Sequence, residues 1–206
     1  MLLETKVSRK SKDKDLLDQY IKDNNVVMIE RMKVKQEIVE WLSKSNTKYH
    51  LTITFPKFTD EVWTRRLLNT FIKNLNRSIY KKRFSESKSC LKGFVVRERS
   101  TEMMTDHYHM LLVDDGWLPD EERMKYLIDK QVKFLEIDPK TEKRRKHYIT
   151  NALLQNYTNS GDDGLERYLS KQFEFLSVDI QQAKDSIGIL GFGDVAFGRD
   201  EFTTHH

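Results

Sequence analysis

A single cysteine, Cys90, among 206 residues excludes an intrachain disulfide and a thiolate zinc cluster. Any metal must therefore be held by histidine and carboxylate. No run approaches the roughly 20 apolar residues that span a bilayer, and Met1 to Lys14 is charged where a signal peptide needs an apolar stretch. The chain reads as cytoplasmic, without a membrane partner. Gly188, Gly191, Gly193 and Gly198 gather near the C-terminus, but no Gly-Lys-Ser/Thr sequence accompanies them, which excludes a P-loop and with it an internal ATPase. Charge of one sign is also scarce: 36 Lys and Arg against 32 Asp and Glu leave a net +4, only mildly basic. Hydrophobic residues at 38% and aromatics at 11% suffice for one core, so global disorder is excluded. The length allows one domain with extensions, or at most two small ones, not a multidomain machine.

The distribution of charge says more than its total. Lys6, Arg9, Lys10, Lys12 and Lys14 cluster at the start, Lys81, Lys82 and Arg83 in the middle, and Lys143 to Lys146 later. Such runs suit a polyanion, although a solvated face looks the same. Residues 1 to 15 lack an apolar face and read as an arm. Helical spacing from Leu16 to Ser43, interrupted at Asp23-Asn24-Asn25, predicts two helices.

Tyr49 to Phe55 alternates with period two and stops at Pro56, as a half-buried strand does. Thr59 or Asp60 then caps a long helix with an apolar stripe through Val62, Leu67, Leu68, Phe71, Ile72, Leu75 and Ile79. Gly93 to Arg99 and His107 to Val113 read as neighbouring antiparallel strands. A helix of about a dozen residues follows Asp120. Phe134 to Ile137 reads as a short strand, and His147 to Tyr157 as strand or helix. After the turn cluster Asn159 to Gly164, Leu165 to Phe175 has helical spacing. This order predicts an α+β domain, one antiparallel sheet backed by helices with an N-terminal helical extension. The expected boundaries are arm and helices 1–45, domain 46–190 and tail 191–206, where His205 and His206 are tail or tag remnants.

His107-Tyr108-His109 is the sharpest feature. Residues i and i+2 of a strand share a face, so two neutral imidazoles come within reach of one cation. Glu98, nine residues earlier on the preceding strand, can sit opposite one of them. Two histidines and a carboxylate suit Mn²⁺, Mg²⁺ or another divalent ion. Two surface histidines on an edge strand would give the same short pattern, but Met110 to Val113 favours a buried strand. On the helix after the glycine-rich turn, Tyr168, Lys171 and Gln172 share a face. A phenol, with an ordinary pKa near 10, becomes a nucleophile when a cation or a metal-held substrate activates it, and Lys171 is placed to help. A tyrosine packed on the core beside a solvated lysine has the same spacing.

The strand Leu51 to Phe55, then Glu98 with His107-Tyr108-His109-Met110-Leu111-Leu112, then Tyr168-Leu169-Ser170-Lys171, resembles in that order the His-hydrophobe-His (HUH) endonucleases. The replication initiators of rolling-circle plasmids and phages are the nearest kind, and the resemblance covers about residues 48 to 175. It implies an HUH/RRM-like sheet and a nick in single-stranded DNA at an origin hairpin or nick site. It also implies a tyrosine joined to the 5′ phosphate and a free 3′ hydroxyl that primes synthesis. By the same resemblance His107 and His109 match the metal pair, Tyr168 the nucleophile and Lys171 its accompanying lysine, with Glu98 matching by position. Tyr108 is aromatic where an aliphatic is usual, and Tyr157 is a second tyrosine close in sequence. A host helicase and DNA polymerase would be the partners.

Three other readings compete. Tyr168-x-x-x-Gln172 resembles the single-strand transposases of the same superfamily, in which the glutamine would be the third metal ligand instead of Glu98. His50-Leu51-Thr52 suggests a two-histidine phosphoesterase, but the required second His-x-Thr or His-x-Ser does not occur, so His50 reads as an ordinary strand residue. A non-enzymatic DNA-binding regulator on the same sheet would need no Tyr168.

Overall fold

A computed structural model describes residues 40, 44–86, 89–99, 105–138, 140–157, 187–191 and 193–197. The strands are β1 (Thr47–Thr54), β2 (Lys92–Arg99), β3 (Asp106–Val113), β4 (Asn151–Asn156), β5 (Ile187–Leu190) and β6 (Val195–Phe197). The helices are α1 (Glu61–Tyr80), α2 (Lys82–Ser85) and α3 (Glu121–Glu136). The strands form one sheet in the order β4-β1-β3-β2-β5-β6, and each paired neighbour is antiparallel. The protein is an α+β domain with one antiparallel sheet backed by helices. No helix among the described residues is long and apolar enough to cross a membrane.

Alternation along the strands separates two faces. On one, Tyr49, Leu51 and Ile53 of β1, Val95 of β2, and Tyr108, Met110 and Leu112 of β3 are buried in a core with Leu68, Phe71, Ile72 and Leu75 of α1 and Met124, Leu127, Ile128 and Leu135 of α3. The second face carries His50, Thr52 and Thr54 of β1, Phe94, Val96 and Glu98 of β2, and His107, His109 and Leu111 of β3. It mixes polar groups with buried Phe94, Val96 and Leu111.

The helix starts follow the capping rule. Asp60 accepts the Val62 amide at 2.8 Å and Asp120 accepts the Arg123 amide at 2.8 Å. The stripe of α1 differs from the expected one at its beginning, where Thr64 is buried and Val62 stands 55% exposed.

Three expectations are corrected or resolved. Phe134 to Ile137 is not a strand. Residues Phe134–Glu136 belong to the last turn of α3, and Ile137 caps it by donating its backbone N–H to the Lys133 carbonyl before making one bridge to Arg144. Within His147 to Tyr157, Asn151–Asn156 form strand β4, at the sheet edge. The sheet also reaches beyond residue 190, because β6 pairs with β5 inside the segment expected as tail. The helices expected over Leu16 to Ser43, Glu40 apart, and the helix carrying Tyr168, Lys171 and Gln172 lie outside the described residues.

Candidate metal and nuclease site

Strand β3 lies between β1 and β2, so its outward side chains receive neighbours from both sides. The register sets Thr52 opposite His109 and Thr54 opposite His107 across β1, and Val96 opposite His109 and Glu98 opposite His107 across β2. His107, His109 and Glu98 thus occupy one face, as the spacing predicts. Glu98 pairs in backbone register with His107, but its carboxylate reaches diagonally to His109, with Oε2 3.3 Å from Nε2.

Both imidazoles are held at Nδ1 by a threonine of β1. Thr54 Oγ1 lies 3.0 Å from His107 Nδ1 and Thr52 Oγ1 lies 3.1 Å from His109 Nδ1. The ring centroids of the two histidines are 6.4 Å apart. His107 Nε2 is 3.1 Å from the Thr105 hydroxyl. A third histidine joins from β1, with His50 Nε2 3.4 Å from His109 Nδ1 and ring centroids 5.5 Å apart. Burial, reinforced by the neighbouring His109, lowers the His50 pKa to about 4, so its ring is neutral at pH 7.

These contacts leave the protons adjustable. An ionised carboxylate only accepts, so in the present arrangement His109 donates from Nε2 to Glu98. A hydroxyl can either donate or accept, which lets Thr52 serve either tautomer of that ring. For His107 one consistent pattern is Nδ1–H donating to Thr54 while the Nε2 lone pair, on the side away from β1, accepts from the Thr105 hydroxyl, a bond that a cation at Nε2 would have to replace. Among the described residues no three His, Cys, Asp or Glu groups converge into a formed metal cluster. The donor set nevertheless fits a divalent cation. Each ring can donate from its inner Nδ1 to a threonine hydroxyl, the arrangement that orients ligating histidines; for His109 that tautomer replaces the Nε2–H bond to Glu98, and the half-exposed carboxylate then adjoins the outer nitrogen as a further ligand.

The middle residue, Tyr108, points to the opposite face and is fully buried. Its ring packs edge-on to Phe55 at 5.5 Å, and its hydroxyl lies 2.8 Å from Thr64 Oγ1. Thr64 also donates to Asp106 Oδ2 at 3.2 Å, and Asp106 accepts both bonds of Arg97 Nη2 at 3.1 and 3.2 Å. An aromatic stands here because its hydroxyl joins this buried network; burial raises its pKa, and it serves packing. Tyr157, the second tyrosine close to the motif, donates its amide to the Lys48 carbonyl at 2.8 Å. That places its backbone six residues of β1, about 20 Å, from the level of Thr54 and His107.

Thr52, Thr54, Thr105 and His50 are the site residues that the sequence reading did not assign. The period-two alternation of β1 puts His50, Thr52 and Thr54 on one face, but which strand they meet is a matter of register. Comparison with protein-family models, with curated proteins and with solved structures finds no match to the chain.

Proposed function

We propose that the protein is an HUH-type nuclease that nicks single-stranded DNA at an origin to initiate rolling-circle replication. The observation that supports this most is the pair His107 and His109 on an inner strand, each ring held at Nδ1 by a threonine of β1, with the Glu98 carboxylate against His109. His107, His109 and Glu98 would hold a Mn²⁺ or Mg²⁺ ion. When bound, such an ion supplies polarisation of the scissile phosphate and offsets the charge that builds in the transition state.

The chain's own groups do the rest. The phenol of Tyr168 gives up its proton to solvent, favoured by the Lys171 cation three residues on in the sequence. Its oxygen forms a bond to phosphorus as the bond to the 3′ oxygen breaks, and the departing oxygen takes a proton to become the free 3′ hydroxyl. The 5′ phosphate stays on the tyrosine, so the strand can later be rejoined. The 3′ hydroxyl would be extended by a host polymerase behind a host helicase, placing the reaction in the cytoplasm.

The test is incubation with random single-stranded oligonucleotides and Mn²⁺, then denaturing electrophoresis. A protein band shifted by covalent DNA, lost with a chelator and lost in His107→Ala and His109→Ala, is the expected result. Binding to duplex without an adduct on any single strand would instead favour the regulator reading.

A further inference from the structure

The loop between β1 and α1 holds a residue in an unusual state. Phe58 has φ 59°, in the left-handed region that bulky side chains avoid, and its ring is 77% exposed. The turn around it is fixed, since the Thr59 amide and hydroxyl both donate to the Pro56 carbonyl, at 3.4 and 2.9 Å. Glycine or asparagine would make this turn without strain, so neither folding nor packing accounts for a phenylalanine. Five residues on, Trp63 is 44% exposed and stacks on His147 with centroids 4.6 Å apart and planes 13° from parallel. The Arg66 guanidinium lies 5.5 Å from the Trp63 centroid.

Both parts hang from the end of β1 that supports the histidine pair. Thr54 faces His107, and Phe58 follows it by four residues, at most about 14 Å of chain. On the other side the Thr150 amide donates to the Thr54 carbonyl at 2.9 Å, three residues after His147. The surroundings are cationic: Lys57, Arg66, Lys143, Arg144 and Lys146 are exposed. Of the acids nearby, Asp60 caps α1, Glu61 is bound by Arg65 and Arg97, Glu136 is bound by Arg144, and Glu142 stands in the turn before the basic run.

We propose that Phe58 and the Trp63–His147 stack form a base-stacking surface for single-stranded DNA beside the histidine site, an inference that rests on the nuclease reading. Exposed rings among cations match unpaired bases on a charged backbone. A duplex keeps its base faces covered, and an apolar protein partner would desolvate the lysines and arginines without compensation.

The probes are an oligothymidylate and the same backbone with abasic sites, titrated against the full chain without metal. The parent is expected to prefer the base-bearing strand, and Phe58→Asn and Trp63→Ala are each expected to weaken its binding about 5- to 150-fold, the span of one lost stack. Phe58→Asn also relieves the left-handed strain, so it should melt at or above the parent temperature while binding more weakly, a divergence that a purely structural residue would not give. With Trp41→Phe and Trp117→Phe in place, the remaining Trp63 fluorescence should be quenched by the oligothymidylate and not by the abasic strand. Parent-like affinity in both Phe58→Asn and Trp63→Ala overturns the surface. If the parent still forms a covalent adduct in that case, the nuclease reading stands alone; if the parent binds no single strand, both fall.

Discussion

Two threonine hydroxyls govern what the paired imidazoles can do. Each occupies the Nδ1 side of one ring, and a ring so held presents its other nitrogen in a fixed direction. Thr54→Val is close in shape and removes the Nδ1 partner of His107; it is expected to weaken Mn²⁺ binding about 10- to 100-fold, measured by titration calorimetry, with the thermal midpoint little changed. Equal affinity in parent and variant would show that the hydroxyl does not orient the ring. Glu98→Gln keeps the size of the side chain but removes its charge, and should weaken the same titration more modestly than loss of either histidine. Unchanged affinity there would move the third ligand to Gln172. The two histidines and the glutamate were legible from spacing alone, because period two and a short connection place them together. Thr52, Thr54 and His50 were not, since a register between strands separated by some 55 residues of sequence is fixed by the packed core rather than by any local pattern.

Strands and helices meet in one buried network that ties α1 to β2 and β3. Arg97 of β2 binds Glu61 at 2.7 Å and Asp106 at 3.1 Å, and Thr64 binds Asp106 and Tyr108. Asp106 directly precedes His107, so this cluster anchors the start of the strand that carries the site. Asp106→Ala leaves a largely buried guanidinium with Glu61 alone and is expected to cost about 3 to 5 kcal/mol in urea unfolding; a loss well below 1 kcal/mol would mean that the cluster is solvated in solution. Gly93 is constrained in another way. It has φ 152°, and a Cβ there would fall 1.9 Å from the Leu111 carbonyl oxygen, so Gly93→Ala must push β2 and β3 apart. The expected outcome is a large drop in melting temperature or insoluble protein, and a parent-like melt would contradict the β2–β3 register. The central strands were readable within two residues because burial on one face enforces alternation. The edge strand β4 was ambiguous because it pairs with β1 alone and buries only Leu154. The short run Phe134 to Ile137 misread as a strand because Leu135 continues the buried row of Leu127, Ile128 and Gln131 around α3, a longer period than four residues reveal. Strand β6 has no readable signal, since three residues become a strand only by pairing with β5.

At the scale of the whole molecule, a sheet that carries two histidines does not by itself distinguish a nuclease from a binding protein; the distinction rests on a nucleophile. Tyr168 and Lys171 lie outside the described residues, and the roles proposed for them rest on the order of motifs along the chain. The geometry does bear on the competing tyrosines. Tyr108 is buried in the core with its hydroxyl engaged, and the Tyr157 backbone sits at the Lys48 level of β1, far along the sheet from His107. Tyr168→Phe removes one oxygen and little packing volume, so a large loss of activity in that variant is chemical. Parent protein with Mn²⁺ and a cleavable single strand should give an SDS-resistant adduct carrying the DNA on the 5′ side of the break. Tyr168→Phe should bind the same strand and give none, while Tyr157→Phe should behave as the parent does. An adduct that persists in Tyr168→Phe and disappears in Tyr157→Phe would reassign the nucleophile within the same chemistry. Lys171→Ala should retain the adduct but form it more slowly, most of all toward low pH, because a cation near the phenol favours its ionised form and its removal raises the pH at which the nucleophile is available.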